Sequence, residues 1–432
     1  MNSSRPRLAA ASKALRHQRA WFADLRAGAG RGRPLALVNA DAPQELFRAM
    51  DVPYVVNQWW SSIISAKRMS GRYLEALRAR GLPDDVEQYS ALPLAEALAP
   101  RSDDAPWGGL PLPTVVLAEC TGDTMRRVFQ LWESELGVPF LPLESAAAET
   151  VPANWWELMR HDWETAIGSA RIDLLERELR EVIPRIERLT GARFRPERLA
   201  EVMDLSNQQA EWNRRTRDLL ATAERCPVPV NDIIPAVMIP QWHRGTRWAT
   251  AAAESLYHEV RSLVEDGRSV VAPERRRLMW IGRGLWFDMD FYRSFESSHG
   301  AVFVWSMYLA LAADAYARYG GDPLRALAAR FCAFRDQMYT PPWSVEWYVK
   351  EARAHRVAGV VHLISPDSRS SWFTTHALRA AGLPVLEIRA DNADGRSLDP
   401  ARLHDDVGRW LDALPEGSGR LTGTAAPADR SP

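Results

Sequence analysis

The sequence predicts an α/β protein made of two doubly wound, parallel-sheet lobes with a helical segment between them. Three observations predict it. Near both ends of the chain, short apolar runs of strand length alternate with amphipathic stretches, the pattern of β-α-β units. From Trp155 to Leu263 the texture changes to apolar residues at helical spacing, as in Ile172, Leu175, Leu179, Val182, Ile186 and Leu189. The chain has 432 residues, 46% of them hydrophobic, and single cores rarely grow past about 250–300 residues.

Taken in order, residues 1–30 form a helical lead-in, with a helix over Ser12 to Ala27. The first lobe, 31–154, opens with a buried-strand run at Pro34 to Val38. A turn at Pro43 starts a helix from Gln44 to Met50, and Val52 to Val56 is the next strand. Thr114 to Leu117 and Val138 to Leu143 continue the alternation around a helix from Thr124 to Leu136. The helical segment covers 155–268, and Pro184 is expected to kink or divide its helix, because proline removes a backbone donor and clashes with the preceding turn. The second lobe, 269–414, places strands at Leu278 to Ile281, Ala301 to Trp305, Gly359 to Ile364 and Pro384 to Ile388. The tail, 415–432, is rich in Gly, Ser, Ala and Pro and is expected to be disordered.

Charge is balanced, with 54 basic against 55 acidic residues. Such a chain lacks the positive field that binds a phosphate backbone, which argues against a nucleic-acid partner. No apolar run approaches the roughly 18 residues needed to span a bilayer, so no membrane partner is expected. Three cysteines, Cys120, Cys226 and Cys332, match no zinc or ferredoxin spacing and are odd in number. Reduced thiols in a cytoplasmic protein fit them. The 18 tryptophans have two readings, a docking surface for a partner subunit or packing of large cores.

Cys120 carries the most information. It lies in Ala118-Glu119-Cys120-Thr121-Gly122-Asp123, directly after a strand, and the carboxyl end of a strand in an open α/β sheet faces a ligand crevice. Around it stand Ala49-Met50-Asp51-Val52-Pro53-Tyr54-Val55-Val56-Asn57 followed by Trp59-Trp60, then Pro106-Trp107-Gly108-Gly109-Leu110-Pro111. Gly284-Leu285-Trp286, Gly300-Ala301-Val302-Phe303-Val304, Arg318-Tyr319 with Asp322-Pro323-Leu324, and Gly382-Leu383-Pro384 leading to Asp391 and Asp394 follow. In this order, across Leu35 to Asp412, the chain resembles the larger, B-type subunit of the 2-hydroxyacyl-CoA dehydratase and benzoyl-CoA reductase family, with the benzoyl-CoA reductase side the closer.

The resemblance implies two flavodoxin-like (Rossmann-like) lobes, a smaller homologous partner subunit and an ATP-dependent activator. It implies work on a coenzyme A thioester, an aromatic one on the closer side, as in anaerobic aromatic degradation. It also implies a [4Fe–4S] cluster held by three cysteines. The first falls where this chain has Glu87-Gln88-Tyr89-Ser90, the second matches Cys120, and the third falls where it has Pro366-Asp367-Ser368-Arg369. Two thiolates are replaced by oxygen, and oxygen ligands ionise less readily than thiols. The expected protein is therefore a cluster-poor or cluster-free subunit, with Cys120 as a degenerate metal position. The alternatives are a non-redox acyl-CoA-binding enzyme and a non-catalytic assembly protein on the same fold.

The vacated crevice is expected to hold Glu87, Tyr89, Ser90, Cys120, Asp123, Asp367, Ser368 and Arg369. Cys120, Ser368, Glu87 and Asp367 are the candidate catalytic groups, because carboxylates beside an arginine in a cleft can perform acid–base work. Trp59 and Trp286 are the expected aromatic walls, ahead of Trp60 and Trp242, and Arg369 is the expected thioester contact. Lys67, Arg68, Arg72, Arg244 and Arg247 are candidate phosphate contacts. Cys226 and Cys332, on helix-like segments, read as small buried hydrophobes. His362 reads as a hydrogen-bonded core residue. Gly282-x-Gly284 lacks the rest of a dinucleotide fingerprint and reads as a turn.

Overall fold

Strand runs that are apolar on both faces are stable only in a sheet covered on both sides, and the chain builds two such sheets. The computed structural model describes residues 8–85, 88–120, 122–144, 152–332, 343–365 and 371–414. In the first sheet β1 (Ala36–Val38), β2 (Tyr54–Val56), β3 (Val115–Glu119) and β4 (Phe140–Leu143) are all parallel, in the order β2-β1-β3-β4. In the second, β5 (Arg276–Ile281), β6 (Ala301–Ser306), β7 (Gly359–Ile364) and β8 (Val385–Arg389) repeat that order as β6-β5-β7-β8, again all parallel. Each sheet reverses direction of winding beside its first strand, which opens a crevice at the carboxyl ends of β1 and β3 in one lobe and of β5 and β7 in the other. All the strand runs expected from the sequence form these two sheets.

The helical segment contains helices Trp155–His161, Trp163–Ile167, Ser169–Thr190, Pro196–Thr222, Val230–Trp242 and Arg247–Glu265. Pro184 lies inside Ser169–Thr190 and does not divide it. The buried stripe Ile172, Leu175, Leu179, Val182, Ile183 and Ile186 runs across the proline, so packing on both sides offsets the missing backbone bond. The lead-in is a helix, Ala9–Gly30. The Glu259 carboxylate accepts from the backbone N–H groups of Ala9 and Ala10 at 2.7 and 2.8 Å, capping that helix.

One apolar core runs from the first sheet through the helices to Met279, Ile281, Trp305 and Trp347 of the second lobe. Trp60, Trp132, Trp155, Trp280 and Trp347 are among the largest fully buried side chains. Core filling thus accounts for much of the tryptophan content. No helix among the described residues is long and apolar enough to cross a membrane.

Candidate functional site

The first lobe's crevice is fixed by Asn39, the residue after β1. Its amide donates to the Glu119 carbonyl at 3.3 Å and accepts from the Glu119 N–H at 3.0 Å, stitching the ends of β1 and β3 together. Ala40 then donates its N–H to Gln58 Oε1 at 2.7 Å. Gln58 opens the helix Asn57–Ala66 after β2 and also ties down the Tyr89-Ser90 strip. The Tyr89 hydroxyl donates to the Gln58 carbonyl at 2.6 Å, and Gln58 Nε2 donates to Ser90 Oγ at 3.4 Å. Asn57 donates to the Ser90 carbonyl at 2.9 Å. Ser90 is thereby built into a buried polar network.

Cys120 follows β3 directly, half-buried, with its N–H on the Leu143 carbonyl at 2.8 Å. Burial pushes its thiol pKa up, against the pull of Arg126, so the thiol form dominates at neutral pH. Cys120→Ala is expected to change stability by no more than about 1 kcal/mol, as for substitutions that create little cavity. Alkylation of the thiol at pH 7 should be slower than that of free cysteine. Denaturant unfolding of the variant and mass-spectrometric labelling of the native protein check the two statements.

The second lobe brings its own loop to the same place. Gly282 follows β5 and adopts φ +106°. Gly284 donates its N–H to the Tyr308 hydroxyl at 2.9 Å, and Leu285 donates to the Tyr292 hydroxyl at 3.1 Å. These bonds aim Arg283 and Trp286 at the first lobe. The Arg283 guanidinium stands 5.3 Å from the centre of the Tyr89 ring, and the Trp286 ring lies nearly parallel to Tyr89, with centroids 6.5 Å apart. The glycine pair lies in a bend after β5, and this loop meets the first lobe at Tyr89.

Asp41, two residues beyond Asn39, is the group that sequence reasoning missed. It is partly buried. Burial pushes its pKa up to about 6, against the pull of Arg283 and then Arg244. Below it, Glu45 is clamped by Arg244 and Arg330, with Arg244 Nε 2.6 Å from Glu45 Oε1. Burial alone would raise Glu45, but the two guanidiniums hold its carboxyl below the ordinary carboxylate range. The only sequence signal for Asp41 was an acidic residue in the loop after a first parallel strand.

The remaining candidates separate. Trp286 and Tyr89 line the meeting of the lobes, whereas Trp59 is 5% exposed and packed among Trp21, Phe22, Trp60 and Trp107. Trp59 is thus core rather than a crevice wall, because its position on helix Asn57–Ala66 turns it toward the lead-in helix. Arg244 is not a rim cation, since it is 1% exposed and neutralised by Glu45. Arg72 is exposed and paired with Asp104 at 2.7 Å, Lys67 and Arg68 are exposed, and Arg247 lines a separate open cavity of about 400 Å³. Asp123 is exposed at the start of helix Asp123–Leu136. Glu87, Asp367, Ser368 and Arg369 lie outside the described residues, as does the tail 415–432. Cys226 is buried but lies in a loop before Val230–Trp242, not on a helix, with Sγ donating to the Val228 carbonyl at 3.0 Å. Cys332 is buried at the end of helix Pro323–Cys332. His362 is buried, with Nδ1 2.7 Å from Thr375 Oγ1.

The sequence model of the family described as 2-hydroxyglutaryl-CoA dehydratase, D-component, matches residues 39–405. The chain is 23% identical over 263 residues to the (R)-phenyllactyl-CoA dehydratase alpha subunit of Clostridium sporogenes, a match covering 59% of each protein. It is 20% identical over 399 residues to the (R)-2-hydroxyisocaproyl-CoA dehydratase alpha subunit of Clostridioides difficile, covering 89% of this chain and 91% of that subunit.

Proposed function

Because the chain belongs to the family described as 2-hydroxyglutaryl-CoA dehydratase, D-component, we propose that it is the alpha-type subunit of a complex acting on a 2-hydroxyacyl-CoA thioester. The thioester's acyl end occupies the crevice where the two lobes meet. The observation that carries this reading is the convergence of strand-end loops from both sheets, with Arg283 over Tyr89 and Tyr89 parallel to Trp286. Two flat rings beside a cation suit an apolar, aromatic acyl group next to a polar thioester. A smaller homologous subunit completes the complex, and an ATP-dependent activator supplies its electron. Cys120, Ser368, Glu87 and Asp367 stay in the same proposal as catalytic groups, and Arg369 as a thioester contact.

The family's three-thiolate cluster does not fit the donors of this chain. Cys120 offers one thiol, and burial disfavours its thiolate. Cys226 and Cys332 are buried on other segments, and Ser90 spends its hydroxyl on Gln58. Among the described residues no group of three or more His, Cys, Asp or Glu side chains is placed to hold a metal ion. The chain therefore acts as a thioester-binding subunit while a partner carries the electron, and no step is routed through a cluster here.

The test is iron and acid-labile sulfide analysis of each subunit after anaerobic co-purification. This chain is expected to carry well under one cubane per molecule. A full, stable complement on the separated chain would overturn the cluster-free assignment. A second reading, a non-redox acyl-CoA enzyme, is favoured by the titratable carboxyl of Asp41, and it predicts thioester turnover without any partner.

A further inference from the structure

We propose that Asp41 is the residue that recognises the hydroxyl group of the acyl thioester, its carboxylate accepting a hydrogen bond from that hydroxyl. This rests on the thioester reading above and goes further by naming the group that separates a hydroxyacyl ligand from a plain acyl one. Four observations support it. Asp41 follows β1 beside the point where the sheet reverses its winding, where ligands of open α/β sheets bind.

Second, the titratable groups coupled to it electrostatically come from three different parts of the chain. Arg283 arrives from the loop after β5 and Arg244 from the loop after helix Val230–Trp242, while the Tyr316 hydroxyl adds a weaker influence from beyond helix Met307–Asp314. Glu45, one turn along, is already taken up by Arg244 and Arg330.

Third, among the described residues none donates a hydrogen bond to the Asp41 carboxyl, whereas other buried acids of the chain are engaged. Glu45 is clamped by two arginines, and Asp314 is bound by Arg217 at 2.8 Å and by the Trp347 indole at 2.8 Å. A part-buried carboxylate that no protein group engages keeps its acceptor sites open for a ligand donor. Fourth, burial of Asp41 outweighs the pull of Arg283 and then Arg244, which leaves its carboxylate under-stabilised and favours a hydrogen-bond donor placed on it. A hydroxyl is the neutral donor of a 2-hydroxyacyl group, and Tyr89 and Trp286 supply the apolar wall for the rest of that group.

The test is calorimetry on the chain with its co-purified partner, using 2-hydroxy-4-methylpentanoyl-CoA and 4-methylpentanoyl-CoA at pH 7.5 and pH 5.5. Wild type is expected to prefer the hydroxylated thioester by about 10- to 100-fold at the higher pH, the range for a hydrogen bond to a charged group. The carboxylate is ionised above about 6, so the preference should shrink at pH 5.5 as Asp41 takes up its proton. Asp41→Ala should bring the two affinities together at both pH values, and Asp41→Asn should leave a reduced preference that no longer changes with pH. If Asp41→Ala fails to bind either ligand, the Asn variant decides, and a wild-type pH dependence in it overturns the proposal. An undiminished preference in the Ala variant also overturns it while leaving the thioester reading intact. If neither thioester binds wild type, the thioester reading and this inference fall together.

Discussion

Glu45→Ala is expected to destabilise the protein by about 3–5 kcal/mol, the cost of leaving a buried charge without its partner. The carboxylate is 0% exposed and is shared by Arg244, 1% exposed, and Arg330, 0% exposed. Arginine does not escape such a site by losing its proton. Removing the carboxylate therefore strands two guanidiniums in the interior. Their remaining contacts are modest. Arg244 reaches the Ala42 carbonyl at 3.3 Å and the Gln241 carbonyl at 3.5 Å, and Arg330 reaches Asn207 at 3.4 Å. Both guanidiniums also lie over the Tyr316 ring, which softens the loss without supplying a charge. Glu45→Gln keeps an acceptor but not the charge, and its cost should fall between the two limits. The same Gln variant has a second consequence at the crevice. With Glu45 neutralised, more of the Arg244 charge acts on Asp41, so the Asp41 titration should move down from about 6. Urea unfolding reads the first effect and carboxyl-labelled NMR titration the second. A loss below about 1 kcal/mol for Glu45→Ala would mean that water already reaches the arginines.

The fold was legible because both sheets are largely covered on both faces, so most strands appear as short, mainly apolar runs that need no partner to be seen. Val115 to Ala118, for example, is wholly buried, and its sequence says so. Residues whose meaning comes from distant chain were not legible. Asp41 sits in Asn-Ala-Asp-Ala-Pro and reads as an ordinary turn. The groups that act on it are Arg283 from the other lobe and Arg244 from the helical segment. Trp59 shows the converse error. Proximity to a strand end suggested a crevice wall, but one turn of helix decides which way the ring points, and here it points to Phe22 and Trp107. Pro184 does not divide its helix, since the apolar stripe on either side holds it together. Cys120 directly follows β3, so its place at a strand end was legible, whereas Trp286 stands farther along the loop after β5 and meets Tyr89 only because the lobes come together.

Gly282→Ala should cost about 3 kcal/mol or more, because two independent penalties fall on one methyl group. The backbone at Gly282 has φ +106°, a conformation that costs a non-glycine residue about 1–3 kcal/mol. In addition, an added Cβ would stand 2.7 Å from the Leu363 carbonyl oxygen and 3.1 Å from the Leu363 Cβ. That carbonyl belongs to β7, the central neighbour of β5, so it cannot swing aside as a surface side chain would. Either β5 and β7 separate at their carboxyl ends or the Gly282–Trp286 loop shifts, and both outcomes move Arg283 away from Tyr89 and Asp41. Gly320→Ala provides the internal control. Its φ is +77°, but an added Cβ there meets nothing within 4 Å, so only the backbone penalty of about 1–3 kcal/mol applies. The difference between the two variants in urea unfolding isolates the close approach of β7. Thioester affinity should fall in Gly282→Ala beyond what its stability loss explains, and stay near wild type in Gly320→Ala. Equal destabilisation with equal affinity would show that the β5–β7 crevice is wider in solution than these distances state, and it would remove the Gly282–Trp286 loop's part in meeting the first lobe.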